Sequence, residues 1–382
     1  MPHSHREHRD GKKAVADSDR LARCATGRDE KPAMSDTAKQ NKVAHKSGFV
    51  AIVGRPNAGK STLVNRLVGQ KIAIVTSKPQ TTRNRIQGIV SRENAQVVLI
   101  DTPGLHDAKT ALNKQMMREV AAALEGIEVL VLMVDATTLT VVNSGFASLP
   151  AQAGTNPETR LPIDHLLMDK SKRFAGKTIL VLNKIDKLPR PKLAPLLQAF
   201  GKAQEFAAIV PISAIKGEGC DGLMDEVIKL LPEGAAYFPE DQVTDQPERF
   251  LASEIVREKA IALTYHEVPH ALAVTVEKWE ETAKLLRIEM TLTVERASQK
   301  KILIGRKGDM LKKIGTQARV ELEEILNAKI YLGLFVKVAE NWRENPMAVR
   351  ELDWHTQMEA LGADESKPGE VGNEKREVRS EE

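Results

Sequence analysis

Eight residues, GRPNAGKS (Gly54 to Ser61), follow the spacing G-x-x-x-x-G-K-[ST]. In such a loop glycines let successive backbone N–H groups turn inward around phosphate oxygens, and a helix opening behind adds its positive end. Gly54, Arg55, Pro56, Asn57, Ala58, Gly59, Lys60, Ser61 and Thr62 are therefore expected to line a polyphosphate. Lys60 would reach the β- and γ-phosphates, and the Ser61 hydroxyl would bind Mg²⁺. A chance match arises roughly once per hundred chains of this length. Here the motif also follows a β-branched run and opens a helical pattern, as the chemistry demands.

Asp101 closes an apolar run and begins DTPG (Asp101, Thr102, Pro103, Gly104). A carboxylate there can hold the Mg²⁺ shell, and the Gly104 N–H can contact the γ-phosphate. Alone, the tetrapeptide is equally good turn chemistry; its place one strand after the phosphate loop favours the functional reading. NKID follows another apolar run. Guanine offers N1–H and N2–H₂ as paired donors, which one carboxylate, Asp186, can accept together, whereas adenine would leave it unsatisfied. Asn183 is expected either to contact the base edge or to tie loops together, with the Lys184 stem over the ring. In SAIKG, the stretch Ser213, Ala214 and Ile215 suits the far edge of the base, with the Ala214 N–H as donor to O6. The ligands so predicted are GTP and GDP.

Between the first two motifs lies SKPQTTRNRIQG, polar, basic and without a helical stripe. It suits a mobile switch in which Thr82, or failing that Thr81, joins Mg²⁺ only when the γ-phosphate is present; the plain alternative is a solvated loop. Lys60, Thr82 and Gly104 are thus the candidates for promoting hydrolysis. Leu105 stands where a water-orienting glutamine is common, and no general base is evident, so slow intrinsic hydrolysis is expected.

These motifs need a scaffold that brings strand ends together. The candidate strands are Phe49 to Gly54, Ala95 to Asp101, Val129 to Ala136, Thr178 to Asp186 and Ala207 to Ala214, mostly separated by helical stretches. Such alternation predicts a mostly parallel sheet with helices on both faces, and with the motifs above it makes the expected fold an α/β P-loop GTPase domain. Ligands then sit at the carboxyl ends of the strands. The connection Ala136 to Gly176 carries Pro150, Pro157 and Pro162, shows no period, and reads as an extended surface loop.

The chain has 382 residues and a formal net charge of +4, so any nucleic-acid site must come from local clustering. Two domains with tails are expected: an extension at 1–46, a G domain at 47–232, a linker at 233–250, an RNA-binding unit at 251–355 and a tail at 356–382. The extension and tail read as disordered, and Met34 offers an alternative start. No run is long and apolar enough for a membrane span, Cys24 and Cys220 match no metal-ligand spacing, and a soluble, cytoplasmic, monomeric protein is expected.

The second unit reads as helix (Ala252 to Leu263), two strands (Ala271 to Trp279, Lys284 to Val294), a helix ending at GRKG, a helix from Asp309 to Asn327, and a strand (Lys329 to Glu340). Gly305 and Gly308 permit close backbone approach, while Arg306, Lys307, Lys312 and Lys313 supply charge for phosphates, helped by Lys300 and Lys301. A KH module clamps single-stranded RNA in this way, although a bare GxxG also fits a plain helix–helix turn. Trp279, Trp342 and Trp354 are expected to pack rather than stack on bases.

GRPNAGKSTLVNRL, PQTTR, DTPGL, NKID and SAIKGEG together resemble the Era-like branch of translation-associated GTPases. ASEIVREK, QKKILIGRKGDMLKKIGTQAR and LFVKVAENWRENP are similar to the KH domain of that branch, a small α+β domain of type II. The resemblance runs from about Lys46 to about Trp354. It implies a bacterial ribosome-assembly GTPase whose KH domain binds the 3′ end of small-subunit (16S) rRNA, with the small ribosomal subunit as partner. It further implies an RNA-binding state favoured by GTP, loose peripheral association with the inner membrane, and a K⁺ ion supported by Asn57 beside the phosphates. A hydrophobic residue after DTPG is common in the branch, in agreement with Leu105. The extension and the Ala136 to Gly176 connection depart from it. The competing reading is an RNA-binding scaffold that uses GTP as a structural ligand. A tRNA-modification GTPase lacks its C-terminal cysteine here, and a tandem-domain GTPase lacks its second P-loop.

Overall fold

The computed structural model describes residues 44–356 except 77, 79–80, 106–108, 143–144, 149–173, 175, 204, 265–267 and 355. The extension (apart from its last three residues) and the tail (apart from 356) lie outside the described residues, as do Cys24, Met34 and most of the 136–176 connection.

Alternating apolar residues build the first sheet. β1 (Lys46–Gly54), β3 (Ala95–Asp101), β4 (Val129–Asp135), β7 (Thr178–Asn183) and β8 (Ala208–Pro211) run parallel, and β2 (Ile86–Arg92) pairs antiparallel with β3, giving the order β2-β3-β1-β4-β7-β8. Val50, Ile52, Val131 and Val181 face α1 (Lys60–Val68) and α4 (Cys220–Leu230) through Leu63, Val64 and Leu223. Their neighbours Ala51, Val53, Leu132 and Leu182 face α2 (Ala111–Ala123) and α3 (Arg190–Ala203) through Val120, Leu196 and Phe200. Both faces are buried, which is why these strands read as continuous apolar runs.

Two strand regions escaped the sequence reading. β2 begins inside the stretch expected to be wholly a switch loop: Ile86 to Gly88 are paired with β3. Its polar composition and central glycine hide an edge strand. The connection expected as irregular loop contains a hairpin, β5 (Leu139–Val142) with β6 (Gly145–Ser148). Strands of four residues are too short to display a period.

The stretch expected as linker is bound to the G domain along its course. Ser47 N–H donates to the Pro232 carbonyl at 3.2 Å, the Gln96 amide bonds the backbone of Tyr237 and Phe238, and Ile89 N–H donates to the Val243 carbonyl at 2.8 Å. With a bridge between Gly88 and Thr244, the segment covers the open edge of β2.

The second unit begins with α5 (Glu248–Leu263), then a single turn α6 (Val268–Ala271), β9 (Ala273–Glu281), β10 (Leu286–Val294), α7 (Ala297–Ile304), α8 (Asp309–Ile325), β11 (Ile330–Val338) and α9 (Pro346–Glu351). β10 lies between β9, antiparallel, and β11, parallel. Ile255, Leu292, Leu303 and Ile314 form the core under the helices. This α-β-β-α-α-β order is the expected KH domain. Trp342 is buried with its Nε1–H donated to the Ala271 carbonyl at 2.8 Å, and Trp354 tilts against Phe250 at 4.8 Å, so these tryptophans pack.

Candidate functional site

β1, β3 and β7 stop at Gly54, Asp101 and Asn183, and β8 leads into Ser213, so one edge of the sheet collects all four G-domain motifs. The loop after β1 has left-handed backbone at Asn57 (φ 62°) and Gly59 (φ 102°), and α1 opens at Lys60. Lys60 is buried, its Nζ 3.3 Å from the carbonyls of Gly54 and Arg55. Burial pulls its pKa below the ordinary lysine value, against the pull of Asp101. A cleft beside it is lined by Pro56, Asn57, Gly59, Lys60, Ser61, Thr62, Ile74, Val75, Thr76, Thr81, Thr82 and Gly104.

Three oxygen-bearing side chains converge there. Ser61 Oγ donates to Asp101 Oδ2 at 2.7 Å and lies 2.8 Å from Thr82 Oγ1, which is 3.4 Å from the same carboxylate oxygen. Burial pushes the Asp101 carboxyl above its usual range, with Lys60 and the two hydroxyls opposing. Its Oδ1 is buried and has no hydrogen-bond partner. A hard cation with oxygen ligands is what such a set accommodates, so these residues fit Mg²⁺. Of the two threonines considered, Thr82 is the one brought here. Thr81 Oγ1 bonds Thr76 Oγ1 at 2.7 Å and the Lys78 carbonyl at 2.8 Å.

DTPG lies directly on the phosphate loop. A side chain at Gly104 would stand 2.8 Å from Pro56, and Leu105 N–H donates to the Gly54 carbonyl at 3.2 Å. The Thr102 hydroxyl donates to the Ile52 carbonyl at 2.8 Å, which anchors the loop to β1. Leu105 is 5% exposed and belongs to the core under α2, so its side chain is a packing group.

Behind the phosphate loop, Asn183 bridges to two neighbouring loops. Its Nδ2 donates to the Ala58 carbonyl at 2.8 Å and its Oδ1 accepts from Ala214 N–H at 3.0 Å, so it ties two loops together. That bond also engages the N–H expected to serve the base. Lys184 Nζ donates to the Asn57 carbonyl at 2.7 Å and to Asp135 at 2.6 Å, which ties it to the phosphate loop and to the end of β4. Asp186 Oδ1 accepts from Ser213 Oγ at 2.7 Å, which orients the carboxylate.

In the KH domain, Gly305, Lys307 and Gly308 all have positive φ (73°, 52° and 86°), and Arg306, Lys307, Lys312 and Lys313 are exposed. Beside them a groove of about 400 Å³ runs between α8 and β11, lined by Leu311, Gly315, Thr316, Arg319, Leu332 and Leu334 as well as Gly308 and Lys312.

The family model described as 50S ribosome-binding GTPase matches residues 49–184, and the KH domain model matches residues 267–343. GTPase Era of Syntrophus aciditrophicus (strain SB) is 46% identical over 315 residues, covering 82% of this chain and 96% of that protein. The chain belongs to the Era GTPase family. Era of Geobacter sp. (strain M21) is 44% identical over 81% of this chain and 98% of its own length. A crystal structure of Era in complex with MgGDPNP and nucleotides 1506–1542 of 16S ribosomal RNA matches with a TM-score of 0.73 at 40% identity, covering 81% of this chain and 99% of that one. A variant of Aquifex aeolicus Era bound to GDP·AlF4⁻ matches with a TM-score of 0.70 at 39% identity over 81% and 99%.

Within this Era-family scaffold, several contributors escaped the sequence reading. Arg66 of α1 donates to the carbonyls of Ala214 (3.3 Å) and Ile215 and so holds the SAIKG loop. Arg257 of the KH domain donates to the Thr81 carbonyl of the segment between the first two motifs, and Arg83 of that segment donates in turn to the Leu272 carbonyl of the KH domain. Burial lowers the Arg83 guanidinium to about 9, and Arg257 and Arg343 add repulsion while Glu254 opposes it. Gly315 did carry a usable signal, since glycine inside a helix costs about 1 kcal/mol against alanine. A lone arginine in a polar stretch carries none.

Proposed function

We propose that this GTPase binds and hydrolyses GTP at the edge of the parallel sheet and holds the 3′ end of small-subunit rRNA through its KH groove during small-subunit assembly. The observation that carries the reading is the meeting of Ser61, Thr82 and Asp101 beside Lys60. In this reading those three residues hold Mg²⁺, which neutralises charge on the β- and γ-phosphates when bound. Lys60 and the backbone from Gly54 to Thr62 cradle the phosphates, and Gly104 N–H senses the γ-phosphate. Asp186 selects guanine, Lys184 walls the ring, and Asn183 holds the base-binding loop against the phosphate loop. K⁺ beside Asn57 belongs to the same reading.

The RNA half rests on the GRKG turn, Lys312 and Lys313, and a groove whose apolar floor suits bases while its basic rim suits phosphates. The rRNA in the Era complex supports the choice of nucleic acid. The working division is a G domain at 47–232, a linker at 233–250 and a KH domain at 251–355, acting as a monomer in the cytoplasm with loose contact to the inner membrane. Among the described residues no helix is long and apolar enough to cross a membrane.

The core position of Leu105 favours one second reading, an RNA-binding scaffold with GTP as a structural ligand. Phosphate release measured with Mg²⁺, K⁺ and a 3′-terminal small-subunit rRNA oligonucleotide separates the two. Turnover stimulated by the oligonucleotide is expected; complete absence of release removes the enzyme reading.

A further inference from the structure

The residues on both sides of Thr82 are held by the KH domain. The Thr81 carbonyl accepts a hydrogen bond from Arg257 Nη2 on α5. Arg257 is 2% exposed and is itself fixed by Glu254 through bonds of 2.7 and 2.6 Å. On the other side Arg83 reaches into the KH domain, where Nη1 donates to the Leu272 carbonyl at 2.6 Å and Nη2 to the His270 carbonyl at 3.3 Å. Its guanidinium lies 5.9 Å from the Trp342 ring. Upstream, Val75 N–H donates to Glu258 Oε1 at 2.9 Å.

A threonine on a polar loop is a poor metal ligand unless the loop is ordered, because fixing each backbone residue opposes binding. Here the ordering contacts come from α5 and the turn that follows it. Arg83 Nε and Arg257 Nη1 are buried without hydrogen-bond partners. An interface selected for stability alone would satisfy such donors, whereas residues kept to place a neighbour tolerate the cost.

We propose that Arg257 and Arg83 are positioning residues of the GTPase site, through which the KH domain holds residues 81–83 so that Thr82 meets Ser61 and Asp101. The proposal rests on Thr82 as a ligand in the triphosphate state. Discrimination between GTP and GDP then depends on contacts with the other domain, while GDP binding does not.

The test uses the full chain with fluorescent GDP and a non-hydrolysable GTP analogue, both with Mg²⁺. Arg257→Met is combined with Glu254→Gln, so that no buried carboxylate is stranded, and Arg83→Met is made separately. Each is expected to weaken the analogue about tenfold and GDP by less than about twofold, the scale of one charge-assisted hydrogen bond. Arg257→Lys should recover part of the loss. Because the arginines act through Thr82, adding Thr82→Ala to either variant should cause almost no further loss. An unchanged analogue-to-GDP ratio, equal losses for both nucleotides, or full additivity with Thr82→Ala overturns the inference. If Thr82→Ala alone leaves the ratio untouched, the ligand assignment fails, and the inference with it.

Discussion

Asn183 Nδ2 stands 2.3 Å from where a Cβ at Gly59 would lie, so the guanine-side loop and the phosphate loop meet with no room for a single methyl group. Gly59 also has φ 102°, which an L side chain strains to adopt. Gly59→Ala should therefore separate the loops, and Asn183→Ala should leave the Ala58 carbonyl and Ala214 N–H unpaired. Each unpaired buried group costs about 1–3 kcal/mol, so GDP affinity in both variants should fall by at least about tenfold. Calorimetric titration with GDP checks this, and unaltered affinity in Asn183→Ala would show that the tie is dispensable.

The Ser213 hydroxyl orients Asp186 at 2.7 Å and makes base selection a two-residue matter. Asp186→Asn should move preference from GTP toward XTP, because the amide now donates to a carbonyl. Ser213→Ala should loosen selectivity without reversing it, at a cost of about 1.5–3 kcal/mol for a hydrogen bond to a charged group. Competition assays with GTP, XTP and ITP read both effects. A Ser213→Ala chain as selective as the parent would assign that serine to loop structure alone.

Leu105 offers a test of what limits hydrolysis. Its side chain lies in the core with Ala51, Val53 and Val120. Leu105→Gln should therefore not supply a water-orienting amide. It should bury an unsatisfied polar group, costing about 1–3 kcal/mol, and lower the melting temperature with no gain in turnover. A faster variant of undiminished stability would place residue 105 in the cleft instead.

At Gly315 in the KH groove, an added Cβ would stand 3.3 Å from Leu334 Cδ1. Gly315→Leu should fill the groove and reduce affinity for single-stranded RNA by at least about tenfold, comparable to losing one stacked base. Arg306→Glu with Lys307→Glu should instead reduce affinity and flatten its salt dependence, since phosphate contacts carry that term. Filter binding across a salt series distinguishes the two, and identical salt slopes for both would contradict the division into floor and rim.

What the sequence made legible follows from how local each signal is. The phosphate loop, DTPG and NKID are contiguous, and each sits at the end of an apolar run, so their order predicts both scaffold and ligand. β3 falls at its expected bounds because all seven of its residues are buried. β2 was hidden because an edge strand borrows stability from the segment lying over it, where the Thr244 hydroxyl meets the Gln87 carbonyl 157 residues earlier in the chain. Arg83 and Arg257 were hidden for a related reason: they are neighbours only through the packing of two domains, and nothing in the residues around either announces the other.

The segment between Pro232 and Thr244 bears on how the protein can be cut. Ile89 N–H and the Gln87 carbonyl find their partners in Val243 and Thr244. A G domain ended at residue 232 would carry an open β-edge and an uncovered Phe49, which now lies 4.9 Å from the Tyr237 ring. Open edges of this kind recruit other chains. A fragment ending after Gln246 keeps the strap in place, and it is the one to expect as a monodisperse species.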